Sequence, residues 1–342
     1  MPFSILYGLV LKLRNLLYDK KVLRSATFNL PVICIGNLSA GGTGKSPMVE
    51  YLITLLQETH RVAVLSRGYG RKTKGYLLAS DVSSAEEIGD EPLQFKTAFP
   101  QIAVAVGERR IEAIPQLLYD HPDTNVIVLD DAFQHREISA GYNILLTEFD
   151  KLYTKDSFLP TGNLRDEKKS ADRADIIVVT KCLPTLSFSD KQKLSAELKI
   201  KNHQHLFLSA LSYDVPVHLF SKEKNILSKE TDVLLVTAIA NPQKLIEYLE
   251  SSVKSVDCIT FADHHHYREQ DIHQLTTRFN NIENIHKVII TTSKDAVKLQ
   301  AFVAKLGKLP IYVLPVKHEV LLNEKDKFDK LILDYVNGNV VA

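Results

Sequence analysis

The chain switches repeatedly between two hydrophobic periods, and each switch marks an element. Val32-Ile33-Cys34-Ile35 is a short apolar run bounded by Pro31 and Gly36, which predicts a buried strand. Beyond Lys45, residues Val49, Leu52, Ile53, Leu55 and Leu56 recur at helical spacing and predict a helix to about residue 58. Apolar runs at 61–66, 102–106, 126–129, 144–147 and 175–180 predict further strands, with a helix at 108–119. Strands alternating with helices predict an α/β fold, a mostly parallel sheet flanked by helices. Across 209–220 the pattern becomes half-buried, with Tyr213, Val215, Val217 and Leu219 alternating with polar or small residues. A matching run lies at 311–316, and the two predict a β-ribbon linker to a smaller α/β domain. That domain has strands at 232–237, 256–261 and 288–292 and a helix at 241–250. The expected division is an N-terminal helix over 1–24, a core over 25–212, and a smaller C-terminal domain with its linker strands over 213–342.

The first residues follow a different logic. Phe3, Leu6, Val10, Leu13 and Leu17 recur at i, i+3 and i+4, but the apolar run over 2–11 is too short to span a bilayer. No small-residue cleavage site follows it, so a removed signal peptide is not expected. Lys12, Arg14, Lys20, Lys21 and Arg24 stand against Asp19 alone. An apolar stripe beside clustered cations fits a helix lying in a membrane interface; a helix packed on its own domain fits the same pattern.

Composition narrows the partners. At 342 residues there is room for about two domains. A net charge of +1 argues against a broad nucleic-acid surface, so no nucleic-acid partner is expected. Cys34, Cys182 and Cys258 are widely spaced without a C-x-x-C pair, which suits a reducing compartment and supplies no zinc site.

The stretch between the first strand and the first long helix carries the main chemical signal. Ser39, Ala40, Gly41, Gly42, Thr43, Gly44, Lys45 and Ser46 form a small-residue loop ending in Gly-Lys-Ser. Strand, glycine loop and helix in this order let backbone N–H groups and the helix N-terminus converge on a phosphate. Lys45 is then placed to reach β/γ-phosphates, and the Ser46 hydroxyl to bind Mg²⁺. Ser39 stands where the G-x-x-x-x-G-K-S pattern begins with glycine, and Gly41 and Gly42 can supply the flexibility.

Other candidates lie at predicted strand ends. The strand at 126–129 runs into Asp130-Asp131, acids placed at the carboxyl edge of a parallel sheet and suited to hold Mg²⁺. Gln134 and His135 follow on the same edge. Arg67-Gly68-Tyr69-Gly70-Arg71-Lys72 carries three cations beside glycines, which fits an anion site or an exposed basic turn. Gly89-Asp90-Glu91-Pro92 opens a helical stretch, and its acids fit capping as well as catalysis. Thr180-Lys181-Cys182-Leu183 lacks the aspartate of a guanine signature. Consecutive His264, His265 and His266 do not share one face, which argues against a single metal ion. Asp263 beside His264 fits proton transfer, and a polar loop of hydrogen-bonded histidines fits as well.

Taken in order, Gly36-Asn37-Leu38-Ser39-Ala40-Gly41-Gly42-Thr43-Gly44-Lys45-Ser46-Pro47, Leu65 to Arg71, Gly89 to Pro92, Leu129 to His135, Leu159 to Arg165, Phe261 to His265 and Lys294 to Lys298 resemble the tetraacyldisaccharide 4'-kinase (lipid A 4'-kinase) family of Gram-negative bacteria. Ser39 is also what that family's loop looks like, whereas Ala132 and Ser293 stand where it usually has Gly and often has Glu. The resemblance implies a P-loop kinase that moves the γ-phosphoryl of ATP, with Mg²⁺, to the 4'-hydroxyl of an acylated glucosamine disaccharide 1-phosphate. It implies Asp90 as general base with His264 as its partner, and Lys45 in the catalytic set. Arg67, Arg71, Glu91, Gln134, His135 and Arg165 become candidate substrate residues, and Ser46, Asp130 and Asp131 the metal set. It further implies a protein held peripherally at the cytoplasmic face of the inner membrane, touching the membrane surface through its N-terminal segment; a monomer is expected. Competing expectations are a kinase for a small soluble substrate and a GTPase or metal-insertion chaperone; the amphipathic first helix argues against the former, the missing guanine signature against the latter.

Overall fold

The computed structural model describes residues 2–263 and 265–338, and places their strands in two sheets. The chain first lays down β1 (Val32–Asn37), β2 (Val62–Ser66), β3 (Leu77–Leu78), β4 (Ala103–Val106), β5 (Val126–Leu129), β6 (Tyr142–Glu148), β7 (Ile176–Thr180) and β8 (His205–Tyr213). It then crosses to a second sheet made of β9 (Val217–His218), β10 (Asp232–Thr237), β11 (Ser255–Thr260), β12 (Lys287–Thr292) and β13 (Ile311–Leu314). Finally β14 (Val316–Val320) returns to the first sheet, whose order is β14-β8-β7-β6-β1-β5-β2-β4-β3. Every pair in that sheet is parallel except at its two edges, where β3 and β14 run antiparallel. Near-continuous apolar runs suit this arrangement because helices cover both faces of a parallel sheet. β1 and β5 are buried along their whole length.

β1 lies at the centre, between β5 and β6, where the direction of winding reverses. Such a switch point opens a crevice beyond the carboxyl ends of the strands. The register Cys34 opposite Leu129 carries Asn37 and Asp130 to that same edge. One face of β1 packs Ile33 and Ile35 against Met48, Val49, Leu52, Ile53 and Leu56 of the helix Lys45–Leu56. The other buries Cys34 with Leu65, Leu129 and Phe133.

The expected boundary at 213 differs from this in one respect. β14 pairs with β8, and Phe328, Ile332 and Val336 of the helix Lys325–Gly338 join the core around Ile33 and Ile35. Residues 316–338 therefore belong with the larger lobe, because alternation predicts a strand without saying which sheet it joins. The alternating runs around 213–219 and 311–316 are the two crossings between lobes: β8 pairs with β14 in one sheet, and β9 with β13 in the other.

Glu50 tests the electrostatics of this packing. It sits on the helix Lys45–Leu56 and accepts a hydrogen bond from Gln94 Nε2 at 2.6 Å. Burial, opposed by that hydrogen bond, pushes its carboxyl from 4.5 up to about 7. Since the folded pKa lies above the unfolded one, the cost of ionising Glu50 is absent below about pH 4.5 and fully present above about pH 7. Glu50→Gln is expected to stabilise the protein at pH 8 by about 1–3 kcal/mol, with no gain at pH 4.5. Thermal unfolding at the two pH values checks this; equal midpoints at pH 8 would refute it.

Candidate active site

The loop after β1 is held open by its glycines and fixed from three sides. Gly41 and Gly44 take φ values of 123° and 86°, conformations that side chains disfavour. Ala40 N–H donates to Asn163 O and Arg165 N–H to Leu38 O, each at 2.7 Å, so the 158–165 turn forms one wall. Thr180 Oγ1, at the end of β7, donates to Thr43 O at 2.9 Å. The third anchor comes from far along the chain. His318 on β14 sets Nε2 2.8 Å from Gly44 O and Nδ1 2.8 Å from Ser209 Oγ. Burial pushes this imidazole down to about 4, so it is neutral. A carbonyl only accepts; Nε2 therefore carries the hydrogen and Nδ1 accepts from Ser209.

At the mouth of the loop four side chains converge. Lys45 Nζ lies 3.3 Å from Asn37 Oδ1 and 3.7 Å from Asp131 Oδ1. Arg165 clamps Asp131 with both terminal nitrogens, at 2.8 and 3.1 Å, and also donates to Asn37 Oδ1. Asp131 has φ 46°, so its backbone is bent to deliver the carboxylate here. Burial works against its charge, but Lys45 and Arg165 hold Asp131 below the usual carboxylate range.

Asp130 has the opposite balance. It is buried, accepts from Ser66 Oγ at 2.9 Å through Oδ2, and leaves Oδ1 buried with no hydrogen-bond partner. Burial first, then the charges of Glu91 and Asp131, pushes it up to about 7. A buried carboxylate oxygen without a partner, among other carboxylates, fits a cation held at this place. Ser46 Oγ donates to Glu91 Oε1 at 3.1 Å, which brings Glu91 against the phosphate loop and this group of acids.

Cations border the acids. Arg110 is fully buried, donating to Gly107 O and, at 3.5 Å, to Asp130 O; its Nε has no partner. Burial pushes it down to about 10. Burial, reinforced by the charges of Arg110, Arg67 and Arg14, pushes His135 down to about 4. Gln134 Nε2 donates to Asn37 O at 2.7 Å, and Arg14 of the first helix donates to Gln134 O at 2.9 Å. Arg71 spends one nitrogen on Glu108 at 2.6 Å and on Gly75 O, with Nε and Nη1 buried and unpartnered. Arg67 is exposed.

Asp90 opens the helix Asp90–Ala98 and is buried against the smaller lobe, where Lys298 Nζ lies 3.1 Å from its Oδ2. His264, its expected partner, lies outside the described residues. Asp263 accepts from Lys294 at 2.8 Å, and His265 pairs with Asp271 at 2.9 Å. No three-residue metal cluster of His, Cys, Asp or Glu occurs among the described residues.

Lys45, Ser46, Glu91, Asp130, Asp131 and Arg165 thus meet around the loop, with Gln134 joined through Asn37. Sequence reasoning passed over Asn37, Arg110, Lys298 and His318. Asn37 and Lys298 lay inside the motifs that carry the family resemblance, and in Val316-Lys317-His318-Glu319-Val320 alternation places His318 inward with the valines.

Comparison with known proteins extends the likeness to the whole chain. The family model described as tetraacyldisaccharide-1-P 4'-kinase matches residues 1–337. A tetraacyldisaccharide 4'-kinase from Flavobacterium johnsoniae is 44% identical, covering 99% of this chain and 97% of that one. One from Bacteroides thetaiotaomicron is 42% identical, with coverage of 99% and 93%. The crystal structure of LpxK from Aquifex aeolicus in complex with ATP has a TM-score of 0.76 and 30% identity, covering 98% of each chain. A match running through both lobes does not arise from a phosphate loop alone: the chain belongs to the tetraacyldisaccharide-1-phosphate 4'-kinase family.

Proposed function

We propose that this chain transfers the γ-phosphoryl group of ATP to the 4'-hydroxyl of a tetraacyl disaccharide 1-phosphate, an acylated glucosamine disaccharide of lipid A biosynthesis, at the cytoplasmic face of the inner membrane. The observation that carries the reading is the convergence of Lys45 and Ser46 on Asp131 and Glu91 at the switch point of a parallel sheet.

Phosphoryl transfer asks mainly for positioning and charge stabilisation. The loop N–H groups and Lys45 hold the β/γ-phosphates. Ser46, Asp130 and Asp131, with Glu91 beside Ser46, are the residues that would hold Mg²⁺. Bound there, Mg²⁺ would neutralise charge on the phosphate oxygens. Arg165 is locked on Asp131 and faces the same space, so it steadies that carboxylate and adds positive charge. Asp90 acts as general base, with His264 as its partner. As the acceptor oxygen bonds to the γ-phosphorus, its proton passes to Asp90, the bond to the β–γ bridging oxygen breaks, and ADP leaves. Arg67, Arg71, Gln134 and His135, joined by Arg110, border the space for the acceptor's own phosphate.

The first helix explains how a lipid reaches this site. Its polar side faces the protein: Asn15 donates to Asp166 at 2.8 Å, Tyr7 to Arg165 O at 3.2 Å and Arg14 to Gln134 O. Its apolar side faces outward, with Phe3, Ile5, Leu6, Leu9, Val10 and Leu13 all more than half exposed. No helix among the described residues is long and apolar enough to cross a membrane. An outward apolar stripe with flanking cations lies in the interface, where a disaccharide headgroup is found.

With ATP, Mg²⁺ and purified tetraacyl disaccharide 1-phosphate, the protein is expected to form the 4'-phosphorylated product. Lys45→Ala is expected to lower kcat/KM by about 10²-fold or more. Asp90→Ala is expected to lower kcat by about 10²–10⁴-fold with the ATP KM unchanged; an equal loss of nucleotide binding would count against its role as base. The double substitution Leu9→Glu/Leu13→Glu is expected to weaken co-sedimentation with anionic vesicles about tenfold or more while sparing turnover of detergent-dispersed substrate. Unchanged sedimentation would remove the interfacial reading. His318→Phe withdraws the donor from Gly44 O and is expected to raise the ATP KM about tenfold; steady-state kinetics showing a wild-type KM would contradict the loop-anchor role.

A further inference from the structure

The motif Lys294-Asp295-Ala296-Val297-Lys298 has no role in the mechanism above, yet its last residue leaves its own lobe. Lys298 lies on the helix Ser293–Leu299, which follows β12 in the smaller lobe. Its ammonium group is buried and has three oxygen neighbours: Asp90 Oδ2 at 3.1 Å, the carbonyl of His265 at 2.9 Å and Asp295 Oδ1 at 3.9 Å. A buried lysine is tolerated only when paired, and this one is paired across the lobes.

Both ends of the contact are rigid. Asp295 is fully buried, and its Oδ2 accepts from Thr292 Oγ1, Ala238 N and Thr237 Oγ1 at 2.7–3.1 Å. That ties the helix carrying Lys298 to the ends of β10 and β12, and Thr292 Oγ1 caps the helix by accepting from Asp295 N at 3.2 Å. On the other side, Gly89 holds φ 93° immediately before Asp90, and a Cβ there would come within 3.0 Å of Tyr69 O. The backbone preceding Asp90 is thereby seated on the loop after β2. Glu91, the next residue, reaches Ser46. Asp90 is thus fixed beside the phosphate loop by its backbone and gripped at its carboxylate by the smaller lobe.

We infer that Lys298 is a positioning residue for phosphoryl transfer: from the smaller lobe it holds the Asp90 carboxylate in the orientation that receives the acceptor's proton. The assignment rests on the reading of Asp90 as base. It makes the base complete only while the lobes are together, since the two partners sit on helices of different lobes.

The test is a double-mutant cycle in the full chain with ATP, Mg²⁺ and the tetraacyl disaccharide 1-phosphate. Lys298→Met is expected to lower kcat about tenfold or more, leaving the ATP KM within about threefold. Lys298→Arg is expected to recover part of the loss. In an Asp90→Asn background, Lys298→Met is expected to cost no more than about twofold in the residual turnover, because the group it positions is gone. A residue that merely cements the lobes would cost the same factor in both backgrounds, and that result overturns the inference. So does a wild-type kcat for Lys298→Met beside an inactive Asp90→Asn, which leaves Asp90 as base untouched. A near-wild-type Asp90→Asn overturns the base reading itself and the inference with it. Lys298→Gln, of similar length, is read by the same cycle if the Met variant does not fold.

Discussion

Like charges held close together in a buried place are the constraint on which the structure turns. At the end of β5, burial and then the charges of Glu91 and Asp131 raise the cost of ionising Asp130. Left alone, such a group would take up protons or move apart. Instead Asp131 is secured by Lys45 and by two bonds from Arg165, whereas Asp130 keeps an oxygen with no protein partner. The asymmetry is informative. One carboxylate is neutralised by the chain itself, and its neighbour keeps an unpartnered oxygen of the kind the proposed Mg²⁺ would meet.

Holding those acids opposite a flexible loop requires support from distant sequence. The loop 39–44 is too rich in glycine to fix its own shape. Its carbonyls are met by Thr180 from β7 and His318 from β14, and its backbone by the turn that carries Arg165. β14 is also half of the double crossing between lobes, so a strand that leads out of the smaller lobe ends on the phosphate loop. Nucleotide binding and the placement of the smaller lobe therefore share structural members, by direct contact.

How much of this was legible in the sequence depends on the range of the interaction. The buried strands, the glycine loop and the acids ending β5 follow from local pattern, because a parallel strand is apolar throughout and a phosphate loop needs glycine and lysine at fixed spacing. The meeting of Lys45 with Asp131 followed from knowing that both lie at one sheet edge. What escaped were pairings set by tertiary contact. Arg110 opens the helix Arg110–Asp120, where a cation normally points into water, and here it is buried beside Asp130. Lys298 stands three residues beyond Asp295, which reads as an ordinary i, i+3 surface pair, yet the stronger contact crosses to Asp90. The return of 316–338 to the first sheet was hidden because alternation carries no address.

For the first helix, direction adds to what pattern alone provides. An amphipathic stripe fits a packed helix and a membrane helix equally, since both bury one face. Here the hydrogen-bonding face is the buried one, with Asn15 against Asp166 and Tyr7 against the Arg165 carbonyl, and the apolar face is turned out. A helix stabilised only by water would place these faces the other way round, because exposed leucines gain nothing and buried asparagines need dedicated partners. The inversion makes sense when the outer solvent is lipid. On the proposed interfacial reading the membrane lies beside the candidate site, since the residues that hold the helix in place, Gln134 and the backbone of Arg165, belong to the same edge of the sheet as Asp130 and Asp131.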